Sequence, residues 1–327
     1  MRAVVLRAHG GPEVLQIEEV PDPEVGADDV LVDIRSTSLN RADLLQRLGY
    51  YASPRPEALE IPGLEFAGTV AAVGRRVTLW HPGDAVMGID AGGGHAERIA
   101  VHERQLMAVP ASVPLADAGA IPEVYITAWD ALVLQGRLAS GRWALVHAGA
   151  SGVGTAAIQI AKAVGARVAV TCSAGKMAAC RDLGADVVLE RSPADWASAA
   201  RSAVPGGFDT VLDVVGGDEI SRNLGVTATN ATIVQVGLLG GAKVAVDVGA
   251  MLARRVTWIG TTLRARPLEE KIAVTRRFAA EMLPRFDDGA LRPLIDSRFA
   301  LDDVASAHER MARNENVGKI VIDVSGR

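Results

Sequence analysis

Up to about residue 122, apolar positions come in short β-branched runs, RAVVLR, VLVDIRS, GTVAAVG, DAVMGI and HAERIAV, each broken off by Gly, Pro or Asp. Runs of this length between turn formers predict strands joined by tight connections, mostly antiparallel. One segment departs from the pattern. NRADLLQRLGYY opens on Asn40, a helix-capping residue, repeats apolar residues at helical spacing and stops at Gly49. The stretch after it, SPRPEALEIPG, reads as loop.

From about residue 123 the runs are wholly apolar and alternate with Ala-rich helical stretches, the pattern of a parallel sheet buried on both faces. Strands are expected at WALVH, RVAVTC, DVVLE, DTVLDVV, ATIVQVG and VTWIGT, with helices at TAAIQIAKAV, AGKMAACRDLG and ADWASAARSAV between them. Six such strands complete a doubly wound sheet. The tail from about Arg264 holds a charged helix, EEKIAVTRRFAAEMLPRF, and a strand pair ending in GKIVIDV. The expected fold class is α/β, with a mainly-β domain from residues 1–122 and 264–327 and a parallel-sheet domain from 123–263.

A chain of 327 residues suits two domains. It has no uninterrupted apolar stretch of membrane-spanning length, and Arg7, His9 and two glycines interrupt the first apolar run, so no signal peptide is expected and the expected location is the cytoplasm. Cys172 and Cys180 are the only cysteines, too few for a disulfide framework or a structural zinc site. A net charge of −5 with scattered basic residues argues against nucleic acid as a partner.

The strand ending at His147 runs through Ala148-Gly149-Ala150-Ser151-Gly152-Val153-Gly154 straight into a helix, the context of a phosphate-binding turn. Gly149 would allow the tight turn and Gly154 the close approach of helix to sheet, while the N–H groups at the helix start, including those of Gly152 and Val153, would face a pyrophosphate. Ser151 stands where a glycine is usual, so its side chain either crowds the phosphates or donates a hydrogen bond to one. An NAD-binding strand places Asp or Glu near the end of the second strand. Between Thr155 and Arg181 there is no acid. Ser173 and Lys176 occupy that region and Arg191 follows the third strand, groups that suit a 2′-phosphate and point to NADPH, although singly each also reads as solvated surface.

Taken together, SLNRADLLQR, IPGLEFAGTVAAVG, GDAVMG, HAGASGVGTAAIQIAKA, VGLLGG and VGKIVIDV resemble the zinc-independent quinone oxidoreductases (zeta-crystallin-like) of the medium-chain dehydrogenase/reductase superfamily along the whole chain. HAGASGVGTAAIQ looks most like their tumour-suppressor-inducible branch. The resemblance implies a GroES-like domain clasping a Rossmann domain, an active site in the cleft between them, and a homodimer formed by pairing edge strands, here VTWIGT. It also carries Ser173 and Lys176 onto 2′-phosphate positions, and implies nicotinamide contacts from Gly237, Leu238 and Leu263 and further cofactor contacts from Thr127 and Asn316. Arg191 replaces a tyrosine that usually stacks near the adenosine phosphate.

Zinc-dependent members have a G-H-E motif where this chain has Gly63-Leu64-Glu65, and the six histidines are dispersed in sequence, each better read as packing or surface than as a ligand. No metal is expected. Hydride addition to a quinone or an enone spreads the charge over a conjugated system, so side-chain donors can replace a Lewis acid. Asn40, Asp43, Gln46, Tyr50 and Tyr51 are the candidates, and the resemblance places Asn40, Asp43 and Tyr51 at the mouth of the nicotinamide cleft. Asn40 would also cap its helix, Asp43 reads equally as a surface salt bridge, and Glu65 and Asp213 read as structural acids. NADPH-dependent quinone reduction leads; an enoyl or enone reductase and a redox-inert NADPH-binding protein are the alternatives.

Overall fold

The structure, a computed structural model, describes residues 1–54, 59–191 and 195–324. The chain forms two units, Met1–Ile126 with Leu263–Arg327, and Thr127–Thr262.

In the first unit, β1 (Arg2–Leu6) and β2 (Leu15–Glu19) form an antiparallel hairpin. A larger sheet contains β3 (Asp29–Ser38), β4 (Glu65–Val73), β5 (Ala85–Ile89), β6 (Arg98–His102) and β7 (Leu106–Ala108), with the C-terminal strands Ile295–Ala300 and Lys319–Asp323. Period-two alternation orients β3, so that Val30, Val32 and Ile34 are buried while Asp33 is exposed. One edge of β3 runs antiparallel to β4. Its other edge is shared: Asp29–Asp33 pairs with β6, and Ser36–Ser38 pairs with Val321–Asp323. Phe66, Val86 and Ile320 belong to the same apolar core, joined by Leu44 of the helix Arg41–Arg47 and by Val304 and Met311 of the helix Val304–Ala312.

The second unit is a six-stranded parallel sheet of β8 (Trp143–His147), β9 (Arg167–Cys172), β10 (Val187–Glu190), β11 (Phe208–Asp213), β12 (Thr227–Gln235) and β13 (Thr257–Gly260), in the order β10-β9-β8-β11-β12-β13. Strand order reverses between β8 and β11, the topological switch at which such sheets receive ligands. The helix Gly152–Ala163 buries Ile160 and the small residues Ala156, Ala157 and Ala161, which suit close packing on a sheet. Leu145, Trp196, Phe208, Val211 and Ile233 form part of a second core. β13 is an edge, and Trp258 on it is 39% exposed.

All six parallel strands lie where their apolar runs predict them. Missed elements include β2, whose LQIEE carries only two apolar residues; the three-residue β7; the helix Pro122–Trp129, which continues into a π-helical stretch, Asp130–Gln135; and the short helices Glu219–Val226, Val248–Arg254 and Val304–Ala312. No helix among the described residues is long and apolar enough to cross a membrane.

Phe208 is fully buried at the start of β11. Phe208→Ala is therefore expected to destabilise the parallel-sheet unit by about 3–5 kcal/mol, seen as a lower urea midpoint for the loss of far-ultraviolet circular dichroism.

Candidate functional site

After β8 the backbone turns sharply. Ala148 has φ 55°, in the left-handed region that a side chain rarely tolerates. A Cβ on Gly149 would stand 2.6 Å from the Val170 side chain, and one on Gly154 would stand 2.3 Å from the Ala148 carbonyl oxygen. Only hydrogen fits at either position, so helix and turn press against the sheet. Ser151 is the N-cap: its Oγ accepts the Gly154 N–H at 3.0 Å. The Gly152 and Val153 N–H groups have no carbonyl one turn behind them. The turn is thus a concave, positive helix start of the kind that receives phosphate, and Ser151 can still donate its hydroxyl hydrogen.

The other strand ends of this sheet carry the remaining groups. Ser173 follows Cys172, and Lys176 ends the short turn Ala174–Lys176, half-buried. Arg191 follows β10, exposed, its backbone N–H bonded to the Cys172 carbonyl at 2.8 Å. Glu190 pairs in register with Cys172, so one acid does stand at this edge, on the third strand rather than the second. Gly237 and Leu238 follow β12; a Cβ on Gly237 would meet the Val214 carbonyl oxygen at 2.8 Å, and Leu238 is 56% exposed.

A buried chain of hydrogen bonds fixes these ends. Asp213 accepts the N–H groups of Val215 (2.6 Å) and Gly216 (2.9 Å) and the Asn223 amide (2.8 Å). Asn223 Oδ1 lies 2.7 Å from His147 Nε2, and His147 Nδ1 lies 2.9 Å from Thr171 Oγ1. His147 and Asp213 are accordingly structural, linking the ends of β8, β9 and β11. Thr127 lies in the helix Pro122–Trp129 at the start of this unit, whereas Leu263 and Asn316 are buried residues of the first unit.

In the first unit, Asn40 and Asp43 are neighbours at the start of the helix Arg41–Arg47. The Asp43 carboxylate accepts the Asn40 backbone N–H at 2.7 Å and the Gly63 N–H at 3.3 Å. Asp43 is fully buried and makes no ion pair among the described residues, which excludes the surface salt bridge, and burial raises its pKa above the usual carboxylate range. The Asn40 side chain gives its amide to Glu65 (2.9 Å) and takes a hydrogen bond from Lys319 Nζ (2.8 Å). Lys319 Nζ also donates to Glu65 Oε1 (2.9 Å) and to the Leu39 carbonyl (2.8 Å), while Ser38 Oγ donates to Glu65 (2.6 Å). The other oxygen of Glu65 accepts the Glu123 N–H at 2.8 Å. Burial, and then the charge of Glu65, push the Glu123 carboxyl up to about 8.

Tyr51 is held separately, by Arg264, a residue the sequence did not single out. The guanidinium bonds the carbonyls of Tyr51 (3.0 Å) and Ala91 (2.7 Å) and Gln46 Oε1 (2.8 Å), and it lies 4.9 Å from the centre of the Tyr51 ring. Gln46 and Ala91 also line a cavity of about 270 Å³ with Gly49, Glu60 and His9. No motif surrounds Arg264; only the long-range return of the chain reveals it.

Two family descriptions match this chain: "Alcohol dehydrogenase GroES-like domain" over residues 26–114 and "Zinc-binding dehydrogenase" over residues 152–280. The quinone oxidoreductase of Lama guanicoe is 30% identical over 98% of this chain and 97% of its own length. The chain belongs to the medium-chain dehydrogenase/reductase superfamily. The human synaptic vesicle membrane protein VAT-1 homolog is 29% identical over 98% of this chain and 86% of that protein. Among solved structures, the JamJ enoyl reductase superposes with a TM-score of 0.88 at 25% identity, over 98% of this chain and 99% of that one. Members of the superfamily are oxidoreductases that bind a nicotinamide cofactor, and the cradle above fits one: bare backbone at Gly149 and Gly154 and N–H groups at a helix start.

Zinc, named in one family description, fits poorly. Leu64 holds an apolar, buried side chain at the ligand position, Glu65 is committed to Lys319, and no group of three or more His, Cys, Asp or Glu side chains among the described residues is placed to hold a metal.

Removing one partner of a buried ion pair costs about 3–5 kcal/mol. Lys319→Met is expected to lose stability on that scale at pH 7 in urea titrations, and the double variant Glu65→Gln/Lys319→Met is expected to recover much of it. A second expectation concerns pH. Because the fold raises Glu123 from 4.5 to about 8, its contribution to stability is complete below 4.5 and declines as pH rises towards 8. Glu123→Gln is expected to flatten the stability profile across that window, measured by chemical denaturation at stepped pH.

Proposed function

We propose that this oxidoreductase reduces quinones with NADPH and without zinc. The observation that carries the reading is the end of the second parallel strand: Cys172 leads into Ser173 and Lys176, with Arg191 hydrogen-bonded to that strand end and no acid on the strand itself. A neutral donor, an ammonium and a guanidinium match a 2′-phosphate, where an NAD site would present a carboxylate to the ribose hydroxyls. Gly152, Val153 and Ser151 would hold the pyrophosphate, and Gly237 and Leu238, with Leu263, Thr127 and Asn316, the nicotinamide side.

Bound NADPH supplies the hydride or electrons. Tyr51 is the catalytic residue we assign: its hydroxyl would donate to the oxygen on which charge develops, and Arg264 holds it from the main chain and the ring face. Asn40 and Asp43, whose hydrogen bonds are committed within the protein, act as positioning residues. Charge delocalised over a quinone needs no Lewis acid, which agrees with Leu64 at the zinc-ligand position. The exposed edge β13 is the surface we assign to a homodimer.

The likeness to the JamJ enoyl reductase supports a second reading, reduction of an enoyl or enone substrate on the same scaffold. Lys176→Glu is expected to weaken NADPH binding more than tenfold and leave NADH nearly unchanged, by fluorescence titration. The wild-type enzyme is expected to oxidise NADPH faster with an ortho-quinone than with crotonyl or enone acceptors. Equal effects on both coenzymes overturn the 2′-phosphate assignment; the reverse acceptor ranking selects the enoyl reading; and binding without oxidation of any acceptor leaves a redox-inert protein.

A further inference from the structure

Cys172 ends β9, and Cys180 lies in the helix Met177–Asp182. They are the chain's only cysteines, and both are buried free thiols. Their number argues against a disulfide framework, and nothing in their spacing sets them side by side. The fold does so: strand, turn and helix double back until the Cys180 thiol donates a hydrogen bond to the Cys172 sulfur. Between the two run Ser173 and the turn Ala174–Lys176, the segment assigned above to the 2′-phosphate. Ser173, Ala174 and Gly175 are exposed, and a Cβ on Gly175 would meet no atom within 4 Å.

The two thiols are not equivalent. The hydrogen bond from Cys180, aided by the charges of Arg181 and Lys176, lowers the pKa of Cys172 below the usual thiol value, against the opposing effects of burial and Glu190. The same bond, with burial, raises that of Cys180. A thiolate rather than a thiol attacks an oxidant, so Cys172 is the nucleophile and Cys180 the thiol that resolves it. Redox-sensing cysteines are often poised next to such a partner. A single buried cysteine packs as a small hydrophobe, whereas two in direct contact are within reach of a covalent bond. The exposed turn that begins at Ser173 gives a small oxidant its approach to the pair.

We propose that Cys172 and Cys180 form a reversible disulfide that bridges the two ends of the segment 173–179 and weakens binding of the phosphorylated coenzyme. The oxidant is a peroxide. The Cys172 thiolate attacks one peroxide oxygen and breaks the O–O bond, leaving a sulfenic acid and a hydroxide that takes up the thiol's proton as water. The Cys180 sulfur then attacks the sulfenic sulfur, breaking its S–O bond and releasing a second water. Two thiols thus give up two electrons and two protons, and hydrogen peroxide becomes two waters. A small dithiol reverses the step by exchange. Forming the bond draws the end of β9 and the helix Met177–Asp182 together. The exposed turn that joins them takes up the movement, and with it Ser173 and Lys176 leave the positions that suit a 2′-phosphate. The effect on coenzyme binding rests on the NADPH reading; the disulfide does not.

The bond is tested on the full chain, treated with hydrogen peroxide, quenched, and alkylated with N-ethylmaleimide after unfolding. Wild type is expected to lose both alkylatable thiols, with an intact mass lower by two hydrogens and a Cys172–Cys180 cross-link in the non-reducing peptide map. Dithiothreitol is expected to restore both thiols. Retention of the thiols, or their loss to sulfinic acid or to links between chains, overturns the disulfide. Fluorescence titration tests the consequence: oxidation is expected to weaken NADPH binding at least about tenfold, reversibly, while the same treatment leaves NADPH binding by Cys180→Ala unchanged. A disulfide that forms without loss of affinity, or an equal loss in the variant, overturns the effect on the coenzyme. Should the variant not fold, recovery of wild-type affinity with dithiothreitol decides. Tighter binding of NADH than of NADPH by the reduced protein sinks the cofactor reading and that effect with it, whereas the thiol count judges the disulfide alone.

Discussion

One buried ammonium organises the mainly-β unit. Lys319, from the last strand, reaches the Leu39 carbonyl, the Asn40 side chain and Glu65, which opens β4. Around that contact the remaining lone pairs are taken by Ser38, Asn40 and the Glu123 backbone. A buried ion pair contributes little net stability over an apolar substitute, but a fully bonded one penalises every arrangement that leaves a member unpaired. It therefore fixes where the helix carrying Asn40, Asp43 and Gln46 begins, and through Gln46 where Arg264 can sit. Asp43 and Glu123 lie in the same polar interior, and burial shifts both towards their protonated forms.

The parallel sheet was legible in the chain because its central strands, β8, β9 and β11, are apolar runs buried on both faces, and because glycine at 149 and 154 has a steric reason visible in any strand-to-helix turn. Asn40 as a cap and Glu65 and Asp213 as internal acids were legible from motif context. The partners were not. Arg264 meets Tyr51, Gln46 and Ala91 across more than a hundred and seventy positions of sequence, and no local period encodes a contact of that range. His95 and His308, whose rings meet edge to face with centroids 6.5 Å apart, look unrelated for the same reason, and Asp43 looks like a surface residue because a lone acid on a short helix usually is one. Glu190 escaped notice because the search for an acid followed the second strand, whereas strand register places the third strand's terminal residue beside it.

The phosphate-binding turn shows how a departure from a motif can be absorbed. A serine in place of the middle glycine takes over one helix-start N–H, that of Gly154, leaving those of Gly152 and Val153 to face outward. The turn exchanges one backbone donor for a hydroxyl, so its positive end is kept while its donor geometry changes.

The shared edge of β3 has a bearing on biosynthesis. Half of that edge is completed by β6, made early, and half by residues 321–323. The parallel-sheet unit occupies one unbroken stretch and can mature while translation continues, but the sheet around β3 must wait for the final strand to leave the ribosome. Until then Glu65 has no ammonium to pair with, and that half of the β3 edge stays open to pairing with other strands.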